Sequence, residues 1–192
     1  MRGNLGRAFV VAGILVAGLL GSRSAQTRAV EPPMAPKVGD TAPDFKLSTP
    51  GGDEVQLATL LKQGPVVLVV LRGFPGYQCP ICTKQVGTLL DKSKDLAAKK
   101  ASVLLVYPGP ADGLKEHAAE FIRGKTLPEN VTLVIDPDYT MIKQYGLRWD
   151  APKETAYPST FVLDAAGKIV MAKVSTTHGG RADSAEVLKA VP

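Results

Sequence analysis

Cysteine is nearly absent from this chain, and two residues in 192 cannot frame a disulfide-dense miniprotein. Histidine is as scarce. His117 and His178 lie far apart and lack the paired spacing of a tetrahedral zinc site, which needs four ligands. The 19 glycines follow no period, which excludes a collagen-like chain. No self-similarity recurs at about 20 to 50 residues, which excludes a solenoid. What is present is ordinary: 45% hydrophobic and 21% charged residues suit one compact globular domain and not a wholly disordered chain.

The net charge of +5 invites a nucleic-acid or anionic-membrane reading only if the charges cluster on the folded part. They do not. Arg2, Arg7 and Arg23 supply three of the five within residues 1–25, which contain no acid, so the remainder carries +2. No nucleic-acid partner is expected. Arg2 and Arg7 precede the uncharged run AFVVAGILVAGLL at 8–20, followed by small residues around Arg23, which is the layout of a secretory signal. As a helix, this run reaches about 20 Å at about 1.5 Å per residue, short of a hydrocarbon core of about 30 Å. Residues 1–25 are therefore expected to be a signal peptide or an uncleaved signal anchor. Membrane attachment would come only through that segment, and the functional part would be extracytoplasmic, periplasmic or secreted. Residues 26–37 (QTRAVEPPMAPK) are a Pro-rich linker, and 38–192 form the domain.

Within 38–192 the pattern alternates. Residues 46–47 and 54–57 flank the turn STPGGD as a hairpin, and 58–62 form a helical turn. The run VVLVVL at 66–71 reads as a central strand covered on both faces. A loop at 73–78 leads into one helix over 79–99. Strands at 103–107 and 131–135, with helices at 113–123 and 139–145, continue the alternation. A hairpin of 160–163 and 169–174 and a helix at 184–191 close it. The expected class is α/β, a central mixed β-sheet flanked by helices with an N-terminal β-hairpin.

Both cysteines fall where the loop after the central strand becomes a helix, in Cys79-Pro80-Ile81-Cys82. A helix N-terminus offers free N–H groups and a positive dipole end, which lower a cysteine pKa. Pro80 suits the first helical position. Cys82, one turn deeper on the same face, is close enough to bridge Cys79 but less open to attack. Unequal roles follow, with Cys79 attacking and Cys82 resolving. A purely structural bridge closing so short a loop would remove little chain entropy.

Downstream, Tyr157-Pro158-Ser159-Thr160-Phe161 places a proline at the head of a strand. Together with Cys-Pro-x-Cys and the Asp164 to Lys168 turn, this resembles the thioredoxin superfamily. Gly39 to Phe45 (GDTAPDF), Ile135 to Asp138 (IDPD) and Tyr145-Gly146 are similar to its redoxin or AhpC/TSA, peroxiredoxin-like branch. The likeness spans 38–191. It implies a thioredoxin-like fold, a thiol oxidoreductase needing no cofactor and no metal, and a redox-active Cys79–Cys82 disulfide. It also implies that Pro158 is a cis-proline and that Pro158 and Tyr157 flank Cys79. The sequence departs from the family in two places. Arg72 and Gly76 stand where its P-x-x-x-T-x-x-C motif has Pro and Thr, and Pro158 stands where an arginine precedes the S-T-F strand. Arg72 is a candidate substitute charge beside the thiolate.

The expected partners are an external thiol reductant and a protein disulfide or a hydroperoxide, neither oxidant preferred. Phe74 and Tyr77 are candidates for an apolar rim, Glu154 for a proton relay to Cys82, and His117 for a solvated helix residue. The alternative activity is copper(I) binding by a thioredoxin-fold metallochaperone using Cys79, Cys82 and His178.

Overall fold

A computed structural model describes residues 34–192. The expected signal or anchor, and most of the expected linker, lie outside the described residues. Strands β1 (Lys46–Ser48) and β2 (Glu54–Gln56) form the antiparallel hairpin, its turn closed by Thr49 N–H to Asp53 O at 2.9 Å. Helix α1 (Leu57–Leu61) leads to β3 (Val66–Val70), every residue of which is fully buried. Such a run of β-branched and aliphatic side chains suits a strand with cover on both faces. It lies between β4 (Ser102–Gly109), parallel to it, and β6 (Ser159–Leu163), antiparallel to it. Strand β5 (Val131–Pro137) runs parallel to β4, and β7 (Ile169–Val174) pairs with β6. The seven strands stand in the order β2-β1-β5-β4-β3-β6-β7.

Alternation along β3 divides the core in two. Val67, Val69 and Leu71 face a layer containing helices α2 (Pro80–Asp91), α3 (Ser93–Ala98), α4 (Leu114–Phe121) and α6 (Ser184–Ala190). Val66, Leu68 and Val70 face α1, α5 (Thr140–Gln144) and the aromatic trio Phe45, Tyr145 and Phe161. In that trio Tyr145 meets its two neighbours edge-on at 5.8 and 6.1 Å, the arrangement that aligns ring edges with ring faces.

The single helix expected over 79–99 is two helices. The backbone leaves helical geometry at Lys92, and the Asn130 side chain ties the break to the sheet by donating to Ser93 O at 3.1 Å and Ala101 O at 3.2 Å. Strands β4 and β5 also run past their expected ends, through Pro108 and Pro137. Pro108 O accepts from Phe74 N–H at 3.2 Å. Its missing N–H therefore faces the loop that follows β3, and the ladder to β5 stays intact.

Candidate active site

The loop from Arg72 to Gln78 leaves the carboxyl end of β3, and Gly73 permits its path. This residue sits at φ +69°, and a Cβ there would meet Pro108 O at 1.8 Å, so only glycine lets the two backbones approach. The loop ends at Cys79, the N-cap of α2, with Pro80 in the first turn as expected. Cys79 Sγ accepts from the Cys82 N–H at 3.4 Å, and Cys82 Sγ accepts from the Arg72 N–H at 3.4 Å. Both sulfurs are unbridged thiols and both are buried, at 3% and 1% exposure. The expected contrast in exposure is thus slight, and the contrast in ionisation is large. The Cys79 thiol is pulled down to about 5, first by a hydrogen bond from the Cys82 thiol. The backbone N–H groups of Cys82 and Ile81 and the charge of Arg181 add to this against the effect of burial. Cys82 is pushed far up by the same thiol–thiolate bond and by burial. One shared proton leaves Cys79 charged and Cys82 neutral.

Arg181 is the residue that sequence reasoning missed. It follows Gly179-Gly180 in the loop after β7. Its Nη2 lies 3.8 Å from Cys79 Sγ, Nη1 donates to Gln85 Oε1 at 2.9 Å, and Nε donates to His178 O at 3.0 Å. Nothing in its local sequence marks it, because the approach depends on how β7 and α2 pack.

Arg72, the expected source of charge, is turned away from the sulfurs. Its guanidinium is 3% exposed and pairs with Glu154, Nε to Oε2 at 2.7 Å and Nη2 to Oε1 at 3.0 Å. It also donates to Lys153 O at 2.8 Å and to the Tyr77 hydroxyl. A buried guanidinium needs a counter-charge, and Glu154 supplies it. Burial tends to raise the Glu154 pKa, but Arg72 and His178 hold it below the usual carboxylate value. Glu154 is thus committed to an ion pair, with no hydrogen bond to Cys82 to serve the expected relay.

The Tyr157-Pro158 expectation is corrected in two respects. Every described peptide bond is trans, Tyr157-Pro158 included. Pro158 is buried at the head of β6, whose Ser159 pairs with Val70, so it shares the sheet end from which the Cys79 loop departs. Tyr157 instead stacks on Trp149 at 4.9 Å and packs into the core layer on the opposite sheet face from the cysteines.

His117 is not fully solvated: its ring stacks on Phe74 at 3.4 Å between centroids. Phe74 thereby turns inward, while Tyr77 and Ile81 remain 47% and 42% exposed around Cys79. A cavity of about 400 Å³ lies beside the loop, lined by Phe74, Gly76, Leu114, His117, Tyr139 and Glu154 among others, and neither sulfur opens into it. His178 Nε2 is 2.8 Å from Glu154 Oε1, and among the described residues no cluster of three His, Cys, Asp or Glu side chains is placed to hold a metal. The copper reading therefore gains no support from the geometry.

Known proteins resemble this chain in both sequence and fold. Residues 38–172 match the AhpC/TSA family. The chain is 32% identical over 139 residues to Peroxiredoxin Bcp of Escherichia coli, covering 69% of this chain and 82% of the relative. It is 28% identical over 162 residues to the methylamine utilization protein MauD of Methylophilus methylotrophus, covering 84% and 67%. Among solved structures, Peroxidoxin BcpB from Mycobacterium tuberculosis superposes with a TM-score of 0.64 at 28% identity, covering 80% of this chain and 93% of that one. A match of this extent to both family and fold means that the chain belongs to the AhpC/TSA family, as a peroxiredoxin-like thiol oxidoreductase of thioredoxin-like fold.

Proposed function

We propose that this protein is an extracytoplasmic thiol-dependent peroxidase whose reacting groups are Cys79 and Cys82. The observation that carries this reading is the placement of Cys79 at the N-cap of α2, where its sulfur accepts from the Cys82 N–H at 3.4 Å with Arg181 Nη2 3.8 Å away, an environment that draws the Cys79 thiol down while Cys82 is pushed up. The Cys79 thiolate attacks one oxygen of a hydroperoxide, the S–O bond forms, and the O–O bond breaks. Its electron pair leaves on the distal oxygen, which is protonated to water or an alcohol. Cys82 then attacks the sulfenic sulfur, a second water departs, and the Cys79–Cys82 disulfide remains. Two electrons have passed from the dithiol to the peroxide. An external thiol reductant returns them by exchange through a mixed disulfide. The relatives named peroxiredoxin support the choice of oxidant.

Disulfide exchange is the second reading, favoured by Tyr77 and Ile81, whose exposed apolar surfaces flank Cys79 as a protein substrate would require. Extracytoplasmic placement is supported by the Arg-flanked apolar run at 8–20. Stopped-flow oxidation of the reduced protein by hydrogen peroxide and by a protein disulfide separates the two readings, with Cys82→Ser run in parallel. Peroxide is expected to react faster than with an unactivated thiol, and Cys82→Ser is expected to stop at a sulfenic acid. If peroxide is no faster than with free cysteine while the disulfide reacts quickly, the peroxidase reading falls.

A further inference from the structure

The buried thiolate at Cys79 requires a counter-charge, and the two arginines nearest the site divide differently. Arg72 spends its guanidinium on Glu154, Tyr77 and Lys153 O. Arg181 meets only neutral oxygens besides the sulfur, namely the Gln85 carboxamide and the His178 carbonyl. Among the described residues no carboxylate pairs with it. Its charge is therefore balanced by nothing nearby except the Cys79 sulfur at 3.8 Å.

The loop that delivers it is held at several points. Ser175 Oγ accepts from the Thr177 N–H at 3.3 Å and shares its one proton between Thr177 O at 2.8 Å and Gly179 O, and Gly180 takes φ +66° to turn the chain. His178 Nε2 meets Glu154 Oε1 at 2.8 Å, and its ring lies 5.3 Å from that of Trp149. Gln85, on the buried face of α2 one turn below Cys82, also reaches Thr160 Oγ1 at 3.4 Å. The fork of Arg181 is thus fixed from the loop on one side and from α2 on the other.

We infer that Arg181 is a catalytic residue of this site, its guanidinium set against the Cys79 sulfur to stabilise the thiolate and then the negative charge that develops on the leaving atom. The inference rests on the reading of Cys79 as the nucleophile. As the S–O bond forms and the O–O bond breaks, charge passes from sulfur to the departing oxygen. A cation already fixed beside the sulfur stabilises that transfer without reorganising. The leaving thiolate in disulfide exchange would gain in the same way. The other titratable groups that face the sulfur are Cys82 on α2 and Tyr107 on β4, and neither is cationic.

The test is the pH profile of Cys79 alkylation by iodoacetamide, followed by peptide mass, with the rate of oxidation by hydrogen peroxide and by a protein disulfide at pH 7. An opposite charge this close lowers a pKa by about 1 to 3. Arg181→Met is expected to move the alkylation midpoint up by about 1 pH unit or more and to slow oxidation about tenfold, with an unchanged melting temperature. Arg181→Lys is expected to restore most of the midpoint. Should Arg181→Met fail to fold, Arg181→Gln, which removes the charge and keeps a donor for Gln85, carries the same expectation. An unmoved midpoint in a folded, charge-removed variant overturns the inference while leaving Cys79 as the nucleophile. Reaction of Cys79→Ser at the wild-type rate overturns that underlying reading as well.

Discussion

At neutral pH the two cysteines differ by a proton, which Cys82 keeps and turns toward the Cys79 sulfur, and the backbone donors of the helix N-terminus and Arg181 favour that division. Cys79, at the N-cap, receives the backbone donors and the Cys82 thiol, whereas Cys82 receives only the Arg72 N–H and sits deeper. A folded-state pKa near 5 lies below the ordinary thiol value of about 8.5. Cys79 therefore stays ionised from pH 6 to 8 and gains its proton only as pH falls through about 5. The rate of Cys79 alkylation or oxidation should be nearly flat across the neutral range and fall to half near pH 5, where a free cysteine would rise about tenfold per pH unit up to about pH 8. A stopped-flow profile that still climbs steeply between pH 6 and 8 would refute the ionised state. Cys79, Pro80 and Cys82 are legible in the sequence because helix capping is local, a matter of four consecutive residues. Arg181 is not, since 102 positions separate it from Cys79 and only the packed sheet brings them together.

Among the elements, the loops at the carboxyl end of β3 and the amino end of β6 are joined by charge as well as by the sheet. Arg72, directly after β3, meets Glu154 from the segment before β6, and Glu154 holds His178 from the loop after β7. Three connections are thus fastened at one carboxylate. Removing one member of a buried ion pair leaves its partner charged and unsolvated, which costs about 3 kcal/mol. Glu154→Ala is expected to lose stability of that order in urea denaturation. The double variant Arg72→Met, Glu154→Leu should recover most of it, because no buried charge then remains. A loss under about 1 kcal/mol in the single variant would show the pair to be solvated. Sequence reading placed Arg72 by its distance from Cys79 along the chain. A loop residue's direction depends on which counter-charge lies within reach, and Glu154 is supplied by a segment 82 residues away. Tyr157 went astray for a related reason: its side follows from the strand register and its stacking on Trp149, neither of which is encoded within a few residues. The strands and helices were far more legible, because the periods of 2 and 3.6 are local. The break at Lys92 escaped because no glycine or proline marks it.

Across the whole molecule, folding and redox poise are linked, because the folded chain stabilises one protonation state of the reduced dithiol. The sheet stacks α2 over β3 so that the Cys79 thiolate lies within one continuous core layer, facing the backbone donors of its own helix. Stabilising the thiolate stabilises the reduced form against the disulfide, which carries no charge, so the potential rises. For thioredoxin, a nucleophile pKa of about 7 accompanies a potential of about −270 mV. A Cys79 thiol held below that reference makes the reduced form at pH 7 more favourable, and about 30 mV corresponds to 1.4 kcal/mol for two electrons. The Cys79–Cys82 couple is therefore expected above about −270 mV, measured by equilibration with glutathione buffers and thiol trapping. In the same buffers the potential should fall toward the thioredoxin value as Arg181 is replaced by Met, since that substitution moves the thiolate pKa back up. A wild-type potential at or below −270 mV would mean that the fold does not favour the thiolate over the disulfide. The ionisation contrast between the two sulfurs would then be of no consequence for electron flow.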